Sequence, residues 1–127
     1  MAHGISAYLG NAWMNALGNA TSFSVAQPYV KLHTQDPGTA GTAHPATETT
    51  RKAVSFGAAS AGALTSDDDV TWTNIAGSQD ANHFTAWDSL TTGNFLFSGT
   101  ITANPYDAGD TYAIDAGNLT ASLTLAS

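Results

Sequence analysis

Two periods of apolar residues divide the chain. Ile5, Tyr8, Leu9, Ala12, Trp13, Ala16 and Leu17 recur at the i, i+3, i+4, i+7 spacing of one helical face. The pattern predicts a helix over residues 4–18. Gly18 and Asn19 supply its stop, because both tolerate the left-handed conformation that ends helices. Ser6, Asn11 and Asn15 lie on the opposite face, polar but uncharged. Tyr8 and Trp13 are large enough to need cover, from the β core or from a neighbouring subunit.

From Pro28 onward the period falls to two. Val30 and Leu32 share one face of a strand over 29–33. Pro28 suits a strand start, where its missing N–H does least harm. Residues 34–50 lose periodicity and hold Asp36-Pro37-Gly38, Gly41 and His44-Pro45, all turn signals. A loop of this length is expected to be functional or pinned by a partner. Further strands are predicted over 52–56, 70–73, 83–87, 95–101, 111–114 and 119–125. Residues 58–69 read as a small-residue, acidic loop. Short strands at this spacing, without helices between them, predict a mainly β fold: an antiparallel β-sandwich or open barrel carrying one N-terminal amphipathic helix. The expected organisation is one domain over 1–127, with the helix at 4–18 and the β-domain at 28–127. The chain has no internal repeat, so by itself it is not a long fibre shaft.

Charge narrows the possible partners. The formal net charge is −7, and Lys31, Arg51 and Lys52 are the only basic residues besides histidine. Counterion release from phosphates needs a basic patch, so nucleic acid is not an expected partner. Neither is an anionic membrane surface. Charged residues make up 10% of the chain, against roughly 25% in ordinary soluble proteins. A surface buried between partners can do without them, since desolvating ions is costly. With no cysteine, disulfides and thiolate metal sites are excluded. The start, Met1-Ala2-His3-Gly4-Ile5, is not a secretory signal. No stretch approaches the ~20 apolar residues of a membrane span. The expected location is the host cytoplasm, or an assembly released from it by lysis.

No constellation points to catalysis, and the chain is not expected to be an enzyme. His3, His33, His44 and His83 lack the pair spacings of a metal site and read as surface or loop residues. Asp67-Asp68-Asp69 is contiguous, whereas a calcium loop spaces its ligands, so it reads as a solvated acidic turn. Asp88, Asp107, Asp110 and Asp115 fall at strand ends or turns, where Asp bonds to nearby backbone. No pair among them is marked for glycoside hydrolysis. G-x-S-x-G and phosphate-cradling glycine patterns are absent. No metal and no cofactor is implied. Trp72 and Phe56 read as core. Trp87 and Tyr106 leave two readings open, core or a stacking platform for sugars.

Leu32-His33-Thr34-Gln35-Asp36-Pro37-Gly38 begins a series of motifs. Arg51-Lys52-Ala53-Val54-Ser55-Phe56, His83-Phe84-Thr85-Ala86-Trp87-Asp88 and a segment from Ala108 to Leu119 follow in order. With the N-terminal helix, this series resembles a family of small virion structural proteins of tailed phages, many infecting actinobacteria. Members are variously tail-fibre-like, minor tail or capsid-associated proteins. The resemblance covers nearly the whole chain and brings no catalytic residue. Family modules on fibres often belong to longer chains with shafts, and here the module stands alone. That favours a capsid decoration protein, a minor capsid component binding the outside of the head shell as a symmetric homo-oligomer, with a trimer as the expected form. The partners are then other copies of the chain and the major capsid protein. The alternative is a minor tail or fibre-associated protein contacting tail proteins and host-surface glycans. Either way the destination is the virion. The candidate interface residues are Tyr8, Leu9, Trp13 and Leu17 on the helix, with Asp36 and Arg51 at the long loop. Arg51 is expected to pair with Asp36 or Glu48 and so pin that loop.

Overall fold

The structure, a computed structural model, describes residues 4–126. In chain order the elements are β1 (Gly4–Ile5), α1 (Ala7–Gly18), β2 (Tyr29–His33), β3 (Lys52–Ala53), β4 (Ala63–Thr65), β5 (Val70–Trp72), β6 (His83–Trp87), β7 (Phe95–Thr100), β8 (Tyr112–Ile114) and β9 (Thr120–Ser122). Strand pairing is antiparallel throughout. One sheet runs in the order β1-β7-β6-β2-β3, and β4-β9 and β5-β8 form two-stranded ribbons. The fold is mainly β with one helix among the described residues, and no barrel closes.

Alternation along the strands separates the two faces of the large sheet. Val30, Ala86 and Phe97 stand in one cross-strand row, and Leu32, Phe84 and Gly99 in the next. Their side chains enter the core, where they meet Leu9 of α1 and the inward residues of β5-β8: Val70, Trp72, Tyr112 and Ile114. Gly99 is there because a Cβ would sit 2.8 Å from Cε1 of Phe84. That ring packs edge-to-face on Phe97. Trp72 is fully enclosed and donates its indole N–H to Thr50 O at 2.8 Å.

The second face carries the rows Tyr29–Trp87–Phe95, Lys31–Thr85–Ser98 and His33–His83–Thr100. Residues 34–46 fold back over it. Thr34 N–H donates to His44 O and Ala46 N–H to Leu32 O, closing the loop at its base. Asp36 Oδ1 accepts from Gly38 N–H at 2.9 Å, which sets the Asp-Pro-Gly turn. Gly41, at φ +73°, lies so near Phe95 that a Cβ would be 2.6 Å from Cδ1. The loop is thus a lid on the sheet, held by its own backbone.

Several boundaries differ from those expected. The helix begins at Ala7, because Gly4 and Ile5 pair with Ser98 and Phe97 and form β1. Ser6 makes that switch: its N–H donates to Leu96 O, while Oγ accepts from Leu9 N–H as the helix cap and donates to Phe95 O at 2.6 Å. At the other end the left-handed residue is Ala20, at φ 52°, rather than Gly18 or Asn19. Of the strand expected over 52–56 only Lys52–Ala53 pairs with β2, and Phe56 makes an isolated bridge with Ser66. Val54 N–H reaches Pro28 O, and Pro28 has no N–H to return. Inside the supposed loop 58–69 lies β4, which pairs with β9; β9 itself is limited to 120–122.

Candidate functional site

The N-terminal helix leaves an apolar face unfinished. Ser6 fixes the start of α1 to β7, so the helix lies along the sheet with Leu9 inward, 5% exposed. Trp13, one turn on, is half-buried against the core. Leu17, the next at this spacing, is 81% exposed. Tyr8 and Met14 are also exposed. Between α1 and the sheet opens a cleft of about 460 Å³, lined among others by Leu9, Trp13, Phe23, Val25, Val54 and Phe56. Trp13 also borders a second hollow of about 180 Å³, with Leu64, Ala121 and Leu123. Gly62 shapes its rim. A Cβ there would sit 2.7 Å from Leu125 Cδ2, and Gly62 O accepts from Leu123 N–H. Leu123 and Leu125 are both at least half exposed.

The lidded face of the sheet is polar and closed. Trp87 Nε1 donates to Thr85 Oγ1 at 2.7 Å, and Thr85 Oγ1 lies 2.9 Å from His33 Nε2. His33 Nδ1 is 2.8 Å from Ala43 O in the lid. The Ala43 carbonyl can only accept, so Nδ1 carries the His33 hydrogen, and in the neutral ring Nε2 accepts from Thr85 Oγ1, whose lone pair takes the Trp87 N–H. His33 is then the neutral tautomer protonated at Nδ1, donating to Ala43 O. Burial pushes its pKa below the ordinary histidine value; the Ala43 carbonyl opposes that shift, and Lys31 and His83 add to it. Above Trp87 lies the Arg51 guanidinium, 4.2 Å from the ring centroid. Its Nη1 donates to Ser89 O and Thr92 O, each at 2.7 Å. Burial lowers the Arg51 pKa, and the Asp88 carboxylate works against that.

The candidate interface residues therefore fall into two groups on different parts of the molecule. Tyr8, Trp13 and Leu17 present a face to the outside. Leu9 does not, since it is part of the core, and as an interface residue it is corrected. The expected pairing of Arg51 with Asp36 or Glu48 is also corrected. Arg51 holds the turn at 89–92, and Asp36 caps its own turn. Glu48 accepts from Ala76 N–H at Oε1 and from Thr50 N–H at Oε2. Burial raises the Glu48 pKa, but these amide bonds outweigh it and the net shift is downward. Phe23 and Leu64 carry no sequence signal, because they are isolated apolar residues in segments that read as loop, whereas the alternation over 119–125 places Leu123 in a strand without marking it for the cleft.

Other candidates resolve simply. Trp87 and Tyr106 are 8% and 6% exposed, so neither offers a ring face to a sugar. Asp88 accepts twice from Asn94, Asp110 from Asp107 N–H, and Asp69 from Ala116 N–H. These carboxylates brace local turns. His33 is wholly buried, against the expectation of a surface residue. His3 lies outside the described residues. Among the described residues no group of three or more His, Cys, Asp or Glu is placed to hold a metal ion. No described helix is long and apolar enough to cross a membrane.

Residues 4–122 match a family described as podophage GP4 fiber I protein gp80. No curated protein matches. The match spans nearly all of the chain, and the chain belongs to this family of phage fibre proteins.

Proposed function

We propose that this member of the fiber I protein gp80 family is a non-enzymatic structural component of the phage tail fibre or its attachment, acting by packing against other virion proteins. The observation that carries the reading is the family match over residues 4–122. It favours the fibre over the head-shell decoration expected from the sequence. The apolar side chains that α1 and the segment after β9 leave outside suit such a role, because burying them on a partner removes apolar area from water at roughly 25 cal/mol per Å². Binding that requires the assembled partner would stabilise the assembly by mass action.

Two measurements on purified virions test this. Quantitative mass spectrometry gives the copy number against the shell and tail-tube proteins, and antibody-gold labelling gives the place. A low copy number with label at the tail supports the fibre role. Stoichiometry near that of the shell protein, with label on the head, would replace it by decoration. Absence from virions would overturn both.

A further inference from the structure

The chain carries only three Lys or Arg residues, and the fold sets two of them side by side. β2 and β3 pair with Tyr29 opposite Ala53 and Val30 opposite Lys52, so the next position places Arg51 beside Lys31. Lys31 also stands in the row with Thr85, on the face of the sheet that holds Trp87. Like charges at neighbouring positions across strands repel. Burial lowers the Lys31 pKa, and the Arg51 charge lowers it further. The fold only partly offsets this repulsion. Asp88 is the carboxylate that acts on Arg51, and both its oxygens already accept from Asn94.

The Arg51 guanidinium is held along one edge and open along the other. Its face rests on Trp87, 4.2 Å from the ring centroid, and Nη1 gives a hydrogen to each of Ser89 O and Thr92 O. Nε and Nη2 make no hydrogen bond among the described residues, and neither does the Lys31 ammonium. Both side chains are half-buried, so solvent reaches them. The Nε–Nη2 edge offers two parallel N–H groups, the fork that receives a carboxylate through two hydrogen bonds.

We propose that Arg51 and Lys31 form a receptor site for a single carboxylate, supplied by an Asp or Glu side chain of a neighbouring protein in the particle. The proposal deepens the packing role given above and rests on it. Shape and charge choose the occupant. The planar fork matches an anion with two oxygens in one plane. A densely charged polymer is repelled by the rest of a chain with net charge −7, whereas one carboxylate on an otherwise neutral surface is not. An acidic sugar gains little here, because Trp87, 8% exposed and covered by the guanidinium, gives it no ring face to stack on. A carboxylate between the two cations relieves their repulsion. The guanidinium need not rearrange to receive it, since Trp87 and the two carbonyls already fix its plane.

The test is ¹H–¹⁵N NMR of the full chain near neutral pH, titrated with the blocked tripeptide Gly-Asp-Gly. The Arg51 Nε–H signal is expected to shift and saturate, and the Gly-Asn-Gly peptide to leave it unmoved. Lys31→Gln is expected to weaken binding about fivefold. Lys52→Gln removes the same charge from the chain and should leave binding within about twofold, because distant charges are screened. Absence of a saturable Arg51 shift overturns the proposal. Equal weakening by the two variants overturns it as well, since net charge rather than a site would then be at work. Glucuronate binding more tightly than the Asp peptide overturns the protein carboxylate in favour of an acidic sugar. Should Lys31→Gln fail to fold, the parent titrations with the Asp and Asn peptides decide alone. A protein found at the tail that shows no Arg51 shift removes only this inference. A protein that binds the Asp peptide but is absent from virions removes the fibre role instead.

Discussion

Replacing Thr85 by Val isolates the chemistry of the lidded face. The two side chains have nearly the same shape, and Thr85 is fully buried, so packing changes little. What is lost is the hydroxyl joining Trp87 Nε1 to His33 Nε2. Valine leaves the indole donor and the imidazole acceptor both without a partner. Each buried unsatisfied group costs roughly 1–3 kcal/mol. Burying a methyl in place of the hydroxyl returns something like 1 kcal/mol. The net expectation is about 1–5 kcal/mol, a fall in melting temperature of roughly 4–20 °C for a chain of this size. Thr85→Ser keeps the hydroxyl and loses a methyl, at a cost of about 1 kcal/mol. Urea unfolding of the three proteins gives the order parent, Ser, Val. If Val is as stable as the parent and Ser is the worse variant, packing alone governs the site and the hydrogen-bond chain is wrong. Long-range ¹H–¹⁵N correlation of the parent should show His33 protonated at Nδ1. An Nε2-protonated ring would reverse the assigned direction.

Three further outcomes follow from the same structure. Gly41→Ala should cost about 2–4 kcal/mol by denaturant unfolding, from its positive φ and the collision with Phe95 together, whereas Gly117→Ala, at φ +94° with nothing within 4 Å, should cost only about 1; equal losses would mean that the lid does not press on Phe95. Tyr106→Phe should leave stability unchanged or raise it by up to about 1 kcal/mol, because the buried Tyr106 hydroxyl has no hydrogen-bond partner among the described residues; a loss above 1 kcal/mol in the same assay would show that a partner exists. Stability should fall on acidification in two stages. His33 is held below its ordinary value of 6.5 in the folded chain, so the unfolded chain takes up protons first and stability drops as pH falls below about 6.5. Glu48, held below 4.5, adds a second loss beneath that pH. Thermal melts from pH 8 to 3 measure both, and Glu48→Gln should abolish the lower stage.

Much of the fold was legible because burial imposes a period. The alternation of Tyr29–His33 and His83–Trp87 is strict, and both strands appear at the bounds predicted. Where pairing depends on distant residues, the period gives no warning. Ile5 fits a helical face, yet it is drawn into β1 by Phe97, a strand far away in sequence. Ala63–Thr65 has one apolar residue of any size, and it is a strand only because β9 lies beside it. The same limit misplaced His33. Its polarity in an alternating strand indicates the solvent side, and that side is covered by a loop whose path no local rule predicts.

Legibility of the candidate site divides along the same line. Helical spacing identified Trp13 and Leu17 as neighbours on one face, but not how deeply each sits: Leu9 of that face is core and Leu17 is in solvent. Arg51 stands out in the sequence as a rare cation and is expected to pin the long loop through a carboxylate, but it holds the turn at 89–92 instead. Its planar guanidinium found Trp87 and two turn carbonyls, contacts that ask for no carboxylate. Asp69, Asp88 and Asp110 brace turns, Asp88 while also raising the Arg51 pKa by its charge. Charge is divided unevenly along the chain, with a consequence for folding. A chain with net charge −7 keeps its surface turns apart by repulsion, while the uncharged segments around α1 can approach without opposition. That neutrality lets residues 4–30, 53–66 and 116–126 close on one another, and because Leu17 on their outer side is 81% exposed, a charge introduced there should leave the fold and its stability unchanged in a thermal melt.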